Sequence, residues 1–399
     1  MTPWRKRLAD LRQLIVQADQ NYFEPDLFRL NVNNAIQTAR TVTFLIQKNK
    51  SSIPEFDRWY KENLLDRLKG DRIMEWLKES RNHIEKEGDL NMHSECNLET
   101  IYSYTDPGPK MSLKNEGQLF TGTKRLMRSI RKIFPTGVFR ESAIAIDRRW
   151  VANTLPDFEL TDALHYGYSE LARVVDALDE HIGAEETPLP PFEKPMNGSS
   201  SRRSYLKTDD GRVYSFAHSP GDVTEADFEV AKTRYDLNAF SDAFSSTGDL
   251  TVALDRFCEL ACSLFAKDGC HITIGFLLGE GGRMLDMVRP QFADHVDKLI
   301  FWTELAHQAK IDRDFSGAIF ISELWLRSPQ GFPQKRISDL EITGEALQII
   351  AANRGTCLIK TIPVQTNEAG KHLDMEAAEV ETDVVPNFIV PLRRVWETR

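Results

Sequence analysis

Residues 184–203, in the middle of the chain, cannot contribute to a hydrophobic core, and they fix how the rest must be grouped. Glu185-Glu186-Thr187-Pro188-Leu189-Pro190-Pro191 leads into Pro195-Met196-Asn197-Gly198-Ser199-Ser200-Ser201. Prolines, which lack an amide donor, and small polar side chains favour a solvated connector over packed structure. The expected architecture is α+β. An N-terminal α-helical bundle spans 1–183, with a short β-like insertion near 96–121. A linker follows at 184–203, then a mixed α/β domain with a small sheet over 204–399.

At 399 residues, 41% of them apolar, the chain is long enough for two cores. Leu8, Leu11, Leu14, Ile15 and Ala18 recur at helical spacing, and Leu27, Leu30, Ile36, Ala39, Val42 and Leu45 mark a second helix to about Lys48. Ser51-Ser52-Ile53-Pro54-Glu55 predicts a serine-capped third helix, and Gly70-Asp71 restarts the pattern for a fourth. Helical spacing returns from Pro156 to Ile182, a segment expected to rejoin the bundle. Trp59, Tyr60 and Trp76 fit either an interface patch or bundle core. Beyond the linker, Asp209-Asp210-Gly211 predicts a hairpin turn within Ser204–Ala217. The apolar runs at 271–278, 317–321, 346–352 and 356–364 predict a sheet of about four or five strands. Gly355 is the expected turn between the last two.

One helix end carries groups suited to chemistry. The stretch Trp76-Leu77-Lys78-Glu79-Ser80-Arg81-Asn82-His83-Ile84-Glu85-Lys86-Glu87-Gly88 brings an arginine, an amide and an imidazole to a helix C-terminus. A guanidinium can hold phosphate and an imidazole can move protons near neutral pH. Residues 10–90, by helix arrangement and by Arg81-Asn82, resemble the HEPN superfamily of helical bundles, whose motif is Arg-x(4–6)-His. The resemblance implies a metal-independent ribonuclease in which Arg81 binds phosphate, Asn82 orients it and His83 or His93 is the base. It also implies a homodimer. The histidine window after Arg81 holds Lys86, Glu87 and Gly88 instead, and His83 is turned about 200° away on the helix. The competing reading pairs Arg81 with Glu85 on a solvated face.

Lys124, Arg125, Arg128, Arg131 and Lys132 form a basic row, opposite Leu126, Ile130 and Phe134. Such a row suits a nucleic-acid backbone, or else an ordinary solvated face paired with acids such as Asp157 and Glu159. The net charge of −10 excludes a surface that is basic throughout. Five scattered cysteines fit a reducing cytoplasm. Cys258 and Cys262, at i and i+4 among apolar neighbours, read as buried hydrophobes, so no metal and no cofactor are expected. His307, Asp312, Asp314 and Glu323 read as surface charges. No membrane-spanning run or signal-peptide core is visible.

Two functions follow as expectations. The first is an RNA-directed protein, an RNA binder or metal-independent ribonuclease in a bacterial defence or toxin-like setting, with RNA as partner. The second is a non-enzymatic oligomerising or sensing module with a ligand or protein partner on the C-terminal domain.

Overall fold

Leu8, Leu11, Ile15 and Ala18 fall on one side of a helix, and all are buried where α1 (Pro3–Gln20) meets α2 (Pro25–Lys48). Each helix begins on a proline, whose missing N–H costs nothing in the first turn. The computed structural model describes residues 1–106, 108–114, 128, 141–192, 201–208, 213–214, 232–236, 245–330, 339–368 and 370–399. The chain forms two units. One comprises Met1–Thr100, Pro109–Arg140 and Ile144–Ser215; the other comprises Ile101–Gly108, Glu141–Ala143 and Phe216–Arg399.

In the first unit, α1 and α2 pack with α4 (Arg72–Lys86) and α5 (Leu160–His181) around Val32, Ile36, Leu171, Val175 and Leu178. The region expected as one serine-capped helix is built otherwise. A 3-10 turn covers Lys50–Ser52, and α3 (Phe56–Tyr60) has no side-chain cap. The chain then widens into a π-turn, Lys61–Leu65. Trp59 and Trp76 are buried, so both belong to the core.

A five-stranded sheet completes this unit, in the order β2–β1–β3–β4–β5. Its strands are β1 (Met92–Ile101), β2 (Lys110–Lys114), β3 (Ala143–Ala152), β4 (Arg202–Lys207) and β5 (Val213–Tyr214). It is larger than the insertion expected near 96–121. The Ser204–Ala217 hairpin, expected to open the second domain, supplies two of its strands. Buried Arg148, Ser204 and Lys207 disguise these strands, since none of them is an apolar signal. Residues 184–192 lie along the bundle: Arg5 donates to Thr187 O (3.1 Å), Arg12 to Pro190 O (2.9 Å), and Phe192 stacks on His165.

The second unit is built on a seven-stranded, wholly antiparallel sheet. Its strands are β6 (Ile274–Leu278), β7 (Met284–Val288), β8 (Gly317–Arg327), β9 (Ile342–Asn353), β10 (Cys357–Asn367), β11 (Gly370–Leu373) and β12 (Glu379–Thr382). The order is β11–β10–β9–β8–β6–β7, with β12 also on β10. Helix α6 (Leu250–Asp268) covers Ile319, Ile349 and Phe276 on one face. Helices α7 (His295–Ile311) and α8 (Val390–Glu397) cover Phe320, Ile350 and Ile359 on the other. Strands buried on both faces read as continuous apolar runs, which is why β6, β8, β9 and β10 are legible in the sequence. The edge strands β7, β11 and β12 are not. Among the described residues no helix is long and apolar enough to cross a membrane.

Candidate functional site

An open hollow of about 310 Å³ with a largely apolar floor lies in the helical unit between α2, the π-turn and α4. Its shape follows from local chemistry. Along α2, Ala39, Thr43 and Gln47 form a stripe at i, i+4 and i+8 that presents little bulk. In the π-turn Asp66 N–H donates to Lys61 O at 2.8 Å, and the extra residue turns Leu64 inward while Leu65 stays 52% exposed. Gly70, at φ +76°, breaks the chain, and Asp71 restarts it by accepting from the Ile73 and Met74 amides at 3.0 Å. Helix α4 thereby lays Met74 and Leu77 along the floor beside Leu171 of α5.

The rim is charged. Arg40 donates to Thr43 Oγ1 at 2.8 Å, and neither Arg40 nor Lys78 has a carboxylate partner among the described residues. Glu75 lies on the same rim, and Gln47 is hydrogen-bonded to the Tyr60 hydroxyl.

The residues expected to be catalytic stand elsewhere and are engaged with one another. Arg81 pairs with Glu85 at 2.5 Å and donates to Asn82 Oδ1 at 3.3 Å. His83 lies 3.1 Å from Glu87 and 3.3 Å from the Asn91 amide. His93 is 2.8 Å from Asn153 Oδ1. Each of these side chains is engaged in a local ion pair or amide contact, and among the described residues Arg81 has no contact with either histidine. Of the basic row, Arg128 is exposed, while Lys124, Arg125, Arg131 and Lys132 lie outside the described residues.

A richer polar network ties the bundle to its sheet, and no sequence motif marks it. Asp19 accepts from His165 at 2.8 Å and from Arg202 at 2.5 Å, and Arg202 also lies over the Tyr22 ring. The Tyr22 hydroxyl sits 3.0 Å from the buried carboxylate of Glu159, which caps α5 by accepting from the Thr161 and Asp162 amides. Burial pushes the Glu159 carboxyl up, against the pull of Thr161 and Arg202. These groups come from three segments far apart in sequence, 19–22, 159–165 and Arg202, and the arrangement ties them together.

In the second unit an open hollow of about 450 Å³ lies between the Gly279–Gly282 loop, the start of α6 and the Asn353–Thr356 turn. Asp249 occupies the helix end by accepting from the Thr251 and Val252 amides. Asp314, expected as a surface charge, holds the loop through the Glu280 amide and Arg283.

Comparison with known proteins decides the relationship. A family model, described as bacteriophage lambda protein ea47, matches residues 2–399. The chain belongs to the bacteriophage lambda Ea47 family. Protein ea47 of Escherichia phage lambda is 36% identical over 397 residues, covering 97% of this chain and 95% of that protein. No solved structure matches. The HEPN-like resemblance is therefore withdrawn: the Ea47 model takes in the bundle with the rest of the chain, and no HEPN family matches. Its physical basis was thin, because a short-loop helical bundle with an Arg-Asn step at a helix end is a pattern that many unrelated chains satisfy.

Proposed function

We propose that this Ea47-family protein works by holding a protein partner, and that the first unit's groove takes an amphipathic helix bearing acidic side chains. The observation that carries this reading is the groove itself, an apolar floor whose rim sets Arg40 and Lys78, two cations without carboxylate partners among the described residues, against one acid, Glu75. Such a floor takes the apolar face of a helix, and the two cations select acids on its flank.

Nucleic-acid binding has less support. Arg29, Arg72, Arg149, Arg202 and Arg203 are each engaged with a carboxylate, which leaves their charge already neutralised. Catalysis has less support as well, because Arg81, His83 and His93 are held in separate local contacts. Residence in the cytoplasm accords with five cysteines that form no disulfide.

The test is a fluorescence-anisotropy titration of the full chain with labelled amphipathic helical peptides, acidic or basic on the polar face. The acidic peptide is expected to bind. The double variant Arg40→Glu, Lys78→Glu should lose that binding while melting as the native chain does. Equal affinity for both peptides, or no change in the variant, would overturn the reading.

A further inference from the structure

On α6, Cys258 and Cys262 stand about one turn apart, with their sulfurs 3.9 Å from each other. Cys262 Sγ is also 3.9 Å from Sδ of Met375, in the turn between β11 and β12. Three sulfurs from two distant parts of the chain thus meet at one place. Cys258 is buried, Cys262 is half-buried and Met375 is 52% exposed, so the cluster opens to solvent on the thioether side. Lys360 of β10 brings its ammonium beside Cys258, and also lies 3.4 Å from Asp255.

We propose that Cys258, Cys262 and Met375 form a binding site for a soft monovalent cation of the copper(I) class, held by two thiolates and one thioether. Geometry gives the first support. Metal–sulfur bonds of about 2.3 Å set at 120° place neighbouring sulfurs about 4.0 Å apart. The two sulfur–sulfur edges that meet at Cys262, each 3.9 Å, already have nearly that length. Ligand chemistry gives the second. Thiolate and thioether together select soft ions, whereas zinc and harder ions want nitrogen, oxygen or further thiolate donors. Among the described residues no three of His, Cys, Asp and Glu lie together as a metal-holding group, so the site lacks the donors those ions need. Charge gives the third: two thiolates around one monovalent ion leave a single negative charge, which the Lys360 ammonium offsets.

Binding releases the two thiol protons and transfers no electron, so the step balances with the cation alone.

The experiment is an anaerobic titration of the full chain with copper(I), buffered by the chromophoric chelator bathocuproine disulfonate. One copper(I) per chain should be withdrawn from the chelator. Cys262→Ala should abolish that binding, and Met375→Leu, an exposed and near-isosteric change, should weaken it with the fold intact by circular dichroism. Lys360→Gln should weaken it by about 10–100-fold, the usual cost of losing a group that supports the ligands. Cys270→Ser, at an exposed cysteine outside the cluster, should leave it unchanged. The proposal fails if the native chain does not compete with the chelator, or if Cys262→Ala binds with the same stoichiometry and affinity. Tighter binding of zinc(II) than copper(I) through these residues would also overturn it.

Discussion

Gly167 of α5 faces Leu77 of α4 so closely that a Cβ built on the glycine would lie 2.5 Å from Leu77 Cδ1. The missing side chain lets α4 settle against α5 and keeps Leu77 on the groove floor rather than in its mouth. Gly167→Ala should therefore push Leu77 into the hollow. Overpacking costs about 1–3 kcal/mol, and the gain in helix propensity returns about 1 kcal/mol. A net loss of roughly 0–2 kcal/mol is expected in denaturant melts, together with weakened binding of the acidic peptide. An alanine variant that binds as the native chain does would mean that Leu77 does not define the floor.

Asp19 should shape the acid limb of stability. Burial raises its carboxyl, but the hydrogen bond from His165 and the charge of Arg202 outweigh this and hold it below the ordinary 3.8. A carboxylate held lower in the folded than in the unfolded chain adds stability that is complete above the unfolded value. That stability is lost as pH falls through the folded value. Melting temperature should accordingly drop on acidification below about 3.8. Asp19→Asn should lower it at neutral pH and flatten that acid decline. Glu159, lifted by burial, acts in the opposite sense: its contribution is present at low pH and is lost as pH rises through its folded value.

Arg5 and Asp179 form a buried ion pair at 2.5 Å, their side chains only 2% and 4% exposed. Asp179 also accepts from Trp4 Nε1 at 2.8 Å, and Arg5 reaches Asp176 at 2.7 Å. Removing Asp179 leaves Trp4 Nε1 and Arg5 Nε without that acceptor while Asp176 still holds the guanidinium, so Asp179→Ala should cost about 1–3 kcal/mol in chemical denaturation. A loss under 1 kcal/mol would show that solvent already reaches the pair.

Arg81→Ala should do almost nothing. The Arg81–Glu85 pair is a half-exposed i, i+4 contact, worth about 0.3–0.5 kcal/mol. RNA incubated in EDTA with the native chain or with Arg81→Ala should stay equally intact. Cleavage by the native chain alone would restore a catalytic role to this helix end.

Where packing obeys a period, the sequence is readable. Leu8, Leu11 and Ile15 announce α1, and Gly355 does mark the turn between β9 and β10, whose register pairs Cys357 with Ala352. Long-range polar contacts leave no such trace. Asp19 and Arg202 meet across 183 positions of sequence, and Met375 lies 113 positions from Cys262. Both pairings depend on the completed sheets. Similarly, Ser51 and Ser52 look like a helix cap, yet the chain spends them in a 3-10 turn, because the π-turn that follows sets where Leu64 is buried. The groove was invisible for the same reason: Ala39, Leu64, Met74 and Leu77 read separately as ordinary core positions.

The most direct test of partner binding over nucleic-acid binding is a side-by-side titration. Labelled acidic helical peptide and labelled single-stranded RNA of equal charge would each be titrated with the full chain at stepped salt concentrations. Peptide affinity should weaken with salt yet persist, since the apolar floor contributes a part that ions do not screen. RNA should not bind. RNA binding with a steep salt slope, and none by the peptide, would contradict the account and return the protein to the nucleic-acid class.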